Sequence, residues 1–236
     1  DKVTYIKNNE NRKQAYSKYQ MYQKIDKNNV IIILDGDDWL YHSEVLNDLY
    51  NIYIQKQCNM TYSKFYYYTE NQVLKPVDLQ KITKNIIQFN DYRKYKWCFS
   101  HLRTGYAWLF KMIPQNYLMY QNKWLDRCTD WAELYSVAEL AEGKIEAFDD
   151  IQVVYNQNNS LLYNNSYYKD RLSQKRKNIE NYIVNLPKLI RMIPDIYIIN
   201  LPKETELKNK LTEQLKKYNI KNYHFFDAHN AYKDEE

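Results

Sequence analysis

Glycine and cysteine are scarce in this 236-residue sequence, with three copies of each, and each scarcity excludes a class of protein. So few glycines leave no glycine-rich phosphate loop, and no Walker-type lysine motif is present. Cys58, Cys98 and Cys128 are odd in number, far apart and without a Cys-x-x-Cys spacing. We therefore expect free thiols in a reducing compartment rather than a disulfide framework, and hence a cytoplasmic location, either free or at a membrane surface.

Long hydrophobic runs and concentrated charge are also missing. No segment approaches the length of a transmembrane span, and no signal peptide is visible. The net charge of +5 is evenly spread, and no basic run is dense enough to predict nucleic-acid binding. Hydrophobic residues make up 44% of the sequence and charged residues 27%, which is typical of a globular protein with a core.

A hydrophobic segment that runs directly into three carboxylates is the most informative feature. Residues 30–34 are apolar and mostly β-branched, and Asp35, Asp37 and Asp38 follow them. The segment predicts a strand buried on both faces, in the middle of a parallel sheet, with its aspartates at the end where ligands bind. Because buried aspartates are costly without a cation, we expect Mn²⁺ or Mg²⁺ there. The alternative is a plain Asp-Gly turn.

A second informative segment, residues 95–110, contains Trp97, His101 and Arg103. A Trp–His pair can form the floor of a sugar site, and an arginine can hold a phosphate or a carboxylate. The alternative is a core histidine whose hydrogen bonds are satisfied, together with a surface arginine.

A third segment predicts a helix that starts at Asp130 and ends at Gly143. Asp130 and Glu133 have the spacing of a capping box, so one interpretation is that Asp130 only caps the helix. The other interpretation, a catalytic carboxylate, comes from a resemblance to a known family.

Residues 35–39 (Asp-Gly-Asp-Asp-Trp) resemble the Asp-x-Asp motif of the inverting family-2 glycosyltransferases, which use nucleotide sugars. Residues 100–104 (Ser-His-Leu-Arg-Thr) look like a segment that a subgroup of this family carries between the metal motif and the catalytic helix. The resemblance covers about residues 8–185.

The resemblance implies a role for each candidate residue. Asp37 and Asp38 would hold the metal and the diphosphate, and Asp130 would take the proton from the acceptor hydroxyl as a general base. The implied contacts to the donor are Asp35, at the nucleotide, and Trp39, Trp97, His101 and Arg103, around the pocket.

The implied fold is α/β, a GT-A-type, Rossmann-like mixed sheet flanked by helices. We expect an N-terminally truncated catalytic domain at residues 1–185, because the strands that hold the nucleotide base would lie before residue 1. Such a fragment would lack part of its donor site. Residues 186–194, with two prolines, predict a linker. Residues 195–236 predict a βαβ unit that resembles the start of the family-25 glycosyltransferases, the lipooligosaccharide and procollagen type.

Local patterns predict further elements within these domains. They are a helix within residues 8–25, a helix capped by Ser43, a strand at 58–69, a loop or flap at 69–90, a hairpin at 144–156 that turns at Asp149 and Asp150, a polar loop at 157–168 suited either to a sugar acceptor or to plain solvent, and a basic helix at 168–185.

These observations predict a divalent-metal-dependent hexosyltransferase that inverts the anomeric centre. Its donor would be a nucleotide-diphosphate sugar, with a UDP-sugar expected, and its acceptor a glycan, a lipid or a protein. One alternative is a Mg²⁺-dependent nucleotidyl or phosphoryl transferase that uses the same aspartates. The other is a non-catalytic carbohydrate-binding or structural module in which the aspartates form a turn.

Overall fold

The computed structural model describes residues 3–69, 74–99, 101–156, 173–190, 196–217, 220 and 223–228. Its contacts divide the chain into two units, Asp1–Ile190 and Arg191–Glu236. The division falls inside the segment predicted as a linker, residues 186–194.

In the described part of the first unit, the strands are β1 (Val30–Ile33), β2 (Trp39–Leu40), β3 (Met60–Tyr68), β4 (Leu74–Val77), β5 (Arg103–Tyr106), β6 (Met119–Tyr120), β7 (Lys123–Trp124) and β8 (Ile145–Asn156). The helices are α1 (Gln14–Lys24), α2 (Val45–Lys56), α3 (Lys84–Phe89), α4 (Ala107–Lys111), α5 (Thr129–Leu140) and α6 (Gln174–Val184).

Most of these strands form one mixed sheet in the order β1-β5-β3-β8-β2, with β4 paired to β3. β5 runs antiparallel to both of its neighbours, whereas β3 and β8 run parallel. Helices lie on both faces of this sheet. One face packs against α1, α4 and α5 through the main core, and α2 covers a smaller cluster on the other face. The predicted mixed α/β sheet flanked by helices is therefore confirmed at this level.

The environment of β1 differs from its prediction. In the described chain β1 pairs with β5 alone, in antiparallel fashion, and lies at the edge of the sheet. Ile31 and Ile33 are buried, but Ile32 is 36% exposed and Leu34 is 41% exposed. The expectation of a parallel strand buried on both faces is wrong for this part of the molecule, because an apolar run identifies a strand without specifying its neighbours.

Three local predictions are also wrong. Ser43 does not cap α2, because Glu44 occupies the N-cap position and makes no side-chain cap bond. Residues 69–90 contain β4 and α3 in their described part and are not simply a loop. The predicted hairpin is one continuous strand, β8, whose register with β3 jumps between Phe148 and Ile151, so that Asp149 and Asp150 form a bulge.

Other local predictions are confirmed. The helix predicted within residues 8–25 is α1, the strand at 58–69 is β3, and the described part of the basic segment 168–185 forms α6. The predicted loop at 157–168 lies outside the described residues.

The second unit contains strand β9 (Ile196–Asn200), helix α7 (Thr205–Lys217) and strand β10 (Tyr223–Asp227). The two strands pair in parallel, so the predicted βαβ unit is confirmed. Leu215 of α7 is buried, and Lys208 lies 4.0 Å from the carboxylate of Asp227.

No helix in the described residues is both long and apolar enough to cross a membrane.

Candidate metal centre and its neighbouring carboxylate

The aspartates that follow β1 are held in a tight turn against the end of β8. The backbone amide of Asp38 donates to the carbonyl of Asp35 at 3.1 Å, which closes the turn. One carboxylate oxygen of Asp38, Oδ1, accepts a hydrogen bond from the backbone amide of Asn156 at 2.9 Å. Because β2 then pairs with β8, the turn is fixed at both ends.

The sheet register brings His101 to the same place. β1 and β5 are antiparallel with Ile33 opposite Arg103, so two further steps of this register place Asp35 opposite His101. One ligand atom from each of Asp35, Asp38 and His101 lies within 4.8 Å of the others, an arrangement that could hold a metal ion. The cation site predicted at the end of β1 therefore has a geometric counterpart, with His101 in the group and without Asp37.

Asp38 is the carboxylate that this environment affects most. Burial, together with the negative charges of Asp35 and Asp37, raises the pKa of Asp38 to about 6, against a lowering contribution from the Asn156 amide. Its second oxygen, Oδ2, is buried and has no hydrogen-bond partner among the described residues. A buried carboxylate oxygen without a partner is costly, and a divalent cation is a partner that would remove this cost.

His101 is held both by its backbone and by two aromatic rings packed against its imidazole. The Ser63 hydroxyl donates to the His101 carbonyl at 3.0 Å and accepts from the amide of Leu102 at 2.7 Å. The imidazole packs against the rings of Phe65 and Tyr155, with centroid distances of 5.7 and 4.9 Å. Burial lowers the pKa of His101 well below its usual value, and the positive charge of Arg103 lowers it further. His101 is therefore neutral near pH 7.

Arg103 connects this group to Asp130. Its Nη2 lies 2.7 Å from Nε2 of His101 and 3.6 Å from Oδ2 of Asp130. The Arg103 side chain is almost fully buried, whereas that of Asp130 is 34% exposed. Asp130 therefore lies next to the candidate metal group and remains open to solvent.

Asp130 does not have the capping role that was its alternative interpretation. α5 begins at Thr129, and its N-cap residue is Cys128, which has a left-handed backbone with φ of 55°. The other residue of the proposed capping box, Glu133, is fully buried and accepts hydrogen bonds from Lys18 at 3.0 Å and from Tyr22 at 3.1 Å. The capping-box interpretation is therefore wrong.

The predicted donor contacts Trp39 and Trp97 occupy different surroundings. Trp39 is 41% exposed and lies edge-on to Tyr68, at the start of β2 and directly after Asp38. Trp97 is packed against the main core and stacks on Trp131, with ring planes 8° apart and centroids 5.4 Å apart. The ring partners of Trp97 and of His101 are different residues, so the described contacts do not bring these two side chains together as a sugar-binding floor.

Some residues of the site were not predicted. Ser63 supports His101 from the neighbouring strand, and Lys18 and Tyr22 reach α5 from α1. Ser63 lies within β3 among residues that favour a strand, and nothing in its sequence context marks it as a support for His101. The Lys18–Glu133 pair is separated by 115 residues, a relationship that only the packing of α1 on α5 creates.

An open groove of about 1030 Å³ lies elsewhere in the first unit, where α2 faces β4 and β8. Polar and charged side chains such as Lys64, Lys81 and Asp149 line it, and none of the candidate site residues does.

No protein-family model matches the sequence, and a search of characterised proteins found no match.

Proposed function

We propose that this protein is a divalent-metal-dependent glycosyltransferase, which transfers a hexose from a nucleotide-diphosphate sugar to an acceptor hydroxyl with inversion. The observation that carries the proposal is the convergence of Asp35, Asp38 and His101, with Asp130 next to them through Arg103. A metal group beside a partly exposed carboxylate supplies the two functions that such a transfer needs, stabilisation of the leaving group and removal of the acceptor proton.

The residues present fit a hard or borderline cation. Two carboxylates and one imidazole form a mixed oxygen and nitrogen donor set, which suits Mn²⁺, and Mg²⁺ through the carboxylates. The strongest indication is Oδ2 of Asp38, which is buried at a cost and has no hydrogen-bond partner among the described residues. When bound, the cation would offset the negative charge that develops on the leaving diphosphate.

Three residues of the chain supply the other functions of the proposed site. Asp130, with its carboxylate partly exposed, takes the proton from the acceptor hydroxyl as that oxygen attacks the anomeric carbon. Trp39 presents an exposed indole directly after the acidic turn, where it can pack on the donor. Arg103 supplies a positive charge between the metal group and Asp130.

Further parts of the proposal concern the whole protein. We propose a UDP-sugar as donor, a glycan, lipid or protein as acceptor, and a GT-A type of fold for the first unit. The second unit is proposed to be the start of a family-25-like transferase, and the protein to act in the cytoplasm or at a membrane surface.

The test is quenching of Trp39 emission by a nucleoside diphosphate, with and without Mn²⁺. We expect UDP to quench only when Mn²⁺ is present, and the signal to be lost in Trp39→Phe, which keeps the other four tryptophans. A phosphoryl-transfer enzyme would instead respond more strongly to a triphosphate, and a carbohydrate-binding module would respond to free sugar without metal. Either of those results would contradict the proposal.

A further inference from the structure

Arg103 already occupies the position on His101 that a metal ion would need. Arginine is a donor at every accessible pH and has no acceptor atom. Nη2 of Arg103 and Nε2 of His101 are 2.7 Å apart, and the hydrogen bond between them can run in only one direction. The guanidinium donates, and Nε2 accepts with its lone pair. The proton of the neutral imidazole then lies on Nδ1.

This hydrogen bond is incompatible with metal binding through either nitrogen of His101. A metal on Nε2 would require the lone pair that Arg103 uses. A metal on Nδ1 would move the ring proton to Nε2, where it would point at an N–H group of the guanidinium. Since both donors would then face each other, Arg103 has to leave His101 in either case.

The structure also provides a second partner for the displaced guanidinium. The same nitrogen, Nη2, lies 3.6 Å from Oδ2 of Asp130, slightly beyond hydrogen-bond distance. The Nε atom of Arg103 is buried without a partner in the described chain, so this side chain is not locked by a bidentate pair. A short movement toward Asp130 replaces the bond to a neutral imidazole with a bond to a carboxylate.

We propose that Arg103 and the metal ion compete for His101, so that metal binding moves the guanidinium onto Asp130. The inference rests on the proposed metal site. Without metal, Arg103 supplies a positive charge that partly offsets the negative charge of Asp38. With metal, Arg103 holds the Asp130 carboxylate in place, so it acts as a positioning residue for the proposed base and couples metal binding to the acceptor side of the site.

The first experiment needs no variant. Two-bond ¹⁵N–¹H NMR of the imidazole-labelled chain shows which ring nitrogen of His101 carries the proton. In metal-free protein we expect the proton on Nδ1 and an unprotonated Nε2 that accepts a hydrogen bond. On titration with Zn²⁺, a diamagnetic probe, we expect the Nε2 resonance to shift away from that of an unprotonated, hydrogen-bonded nitrogen. Saturable Zn²⁺ binding that leaves the His101 spectrum unchanged overturns the competition but not the metal site. Absence of any binding, for Zn²⁺ and Mn²⁺ alike, overturns both.

The second experiment is a double-mutant cycle on Mn²⁺ affinity, measured by EPR of the free ion. Arg103→Met removes the competitor, and we expect the Mn²⁺ dissociation constant to fall by about tenfold, the equivalent of one charge-assisted hydrogen bond. Asp130→Asn removes the negative charge of the second partner, and we expect it to weaken Mn²⁺ binding by about threefold to tenfold in the wild-type background. In the Arg103→Met background, Asp130→Asn should leave the Mn²⁺ dissociation constant unchanged, because there is no guanidinium for residue 130 to bind.

The matched control is Arg127→Met, which removes one positive charge near the start of α5 from a side chain that pairs with Asp126. We expect its Mn²⁺ dissociation constant to change by less than about threefold. Unchanged or weaker Mn²⁺ binding in folded Arg103→Met, or an Asp130→Asn effect that persists without Arg103, overturns the inference. Thermal melting of each variant establishes that it is folded.

Discussion

Asp38 accepts a hydrogen bond from the backbone amide of Asn156 across 118 residues of sequence, at 2.9 Å. This bond fixes one oxygen of the carboxylate, while its other oxygen is buried without a partner in the described residues. The candidate metal centre therefore contains a negative charge that the metal-free protein does not fully compensate, and this has a measurable consequence for stability.

Asp38→Asn should stabilise the metal-free protein at neutral pH. The folded-state pKa of Asp38 is raised from 3.8 to about 6, chiefly by burial, so the unfolded chain releases this proton first as the pH increases. The wild type therefore loses stability between about pH 4 and pH 6, and the deficit is complete above pH 6. We expect the variant to be more stable by about 1 kcal/mol at pH 7.5, after discounting for solvent screening, and by less at pH 4.5.

Urea unfolding in the presence of a chelator at the two pH values measures this difference. Asp78→Asn, at an exposed aspartate, is the control and should show no such gain. With Mn²⁺ added, the wild type should gain stability and Asp38→Asn should not. A variant that is less stable than wild type at pH 7.5 would show that Asp38 is a structural residue.

Asp130→Asn should abolish sugar transfer while the fold persists. The amide cannot accept the proton of the acceptor, and loss of a general base typically slows a reaction by about 10² to 10⁴-fold. Because Cys128 and not Asp130 occupies the N-cap position, the melting temperature should stay close to that of wild type. Transfer is measured as release of the nucleoside diphosphate. The control is Asp126→Asn, in the same segment but at a residue paired with Arg127 and Lys175, and this variant should remain active. A fully active Asp130→Asn protein would exclude Asp130 as the base.

Ser63→Ala should weaken metal binding without removing a ligand. The Ser63 hydroxyl bridges the carbonyl of His101 and the amide of Leu102, so its loss leaves the His101 backbone free to shift. Loss of a group that orients a metal ligand typically costs about 10-fold to 100-fold in affinity. Calorimetric titration with Mn²⁺ measures the change, and the exposed Ser43→Ala serves for comparison. Equal affinity in both variants would argue against a role of His101 at the metal.

Glu139→Gln should destabilise the first unit strongly. Arg93 donates to both carboxylate oxygens of Glu139, at 2.6 and 2.9 Å, and to the carbonyl of Ile183, inside the core. Removing one partner of a buried pair leaves an uncompensated charge, so we expect a loss of about 3 to 5 kcal/mol in unfolding free energy. The exposed pair of Arg12 and Glu10 offers the control, since Glu10→Gln should cost less than about 1 kcal/mol. Chemical denaturation of both variants measures the two losses in unfolding free energy, and equal losses would contradict the prediction.

Much of the fold follows from local pattern. The segment at residues 60–68, the helix around Leu134 and the βαβ unit of residues 196–227 lie where period and composition predict them. The pattern fails where partners decide the structure. Asp149 and Asp150 suggest a turn, yet pairing with β3 and β2 keeps the chain extended and absorbs them as a bulge. Similarly, Asp130 and Glu133 suggest a capping box, yet burial against α1 turns Glu133 toward Lys18.

The sequence by itself determined that three aspartates follow a strand and that His101, Arg103 and Asp130 carry reactive groups, because residue type and local period are properties of a short segment. Tertiary structure alone decided which of them meet. The antiparallel register of β1 and β5 places His101 beside Asp35 and Asp38, and the packing of α5 places Asp130 beside Arg103. Such contacts join residues far apart in the chain, and their formation depends on strand pairing and core packing, which no single segment encodes.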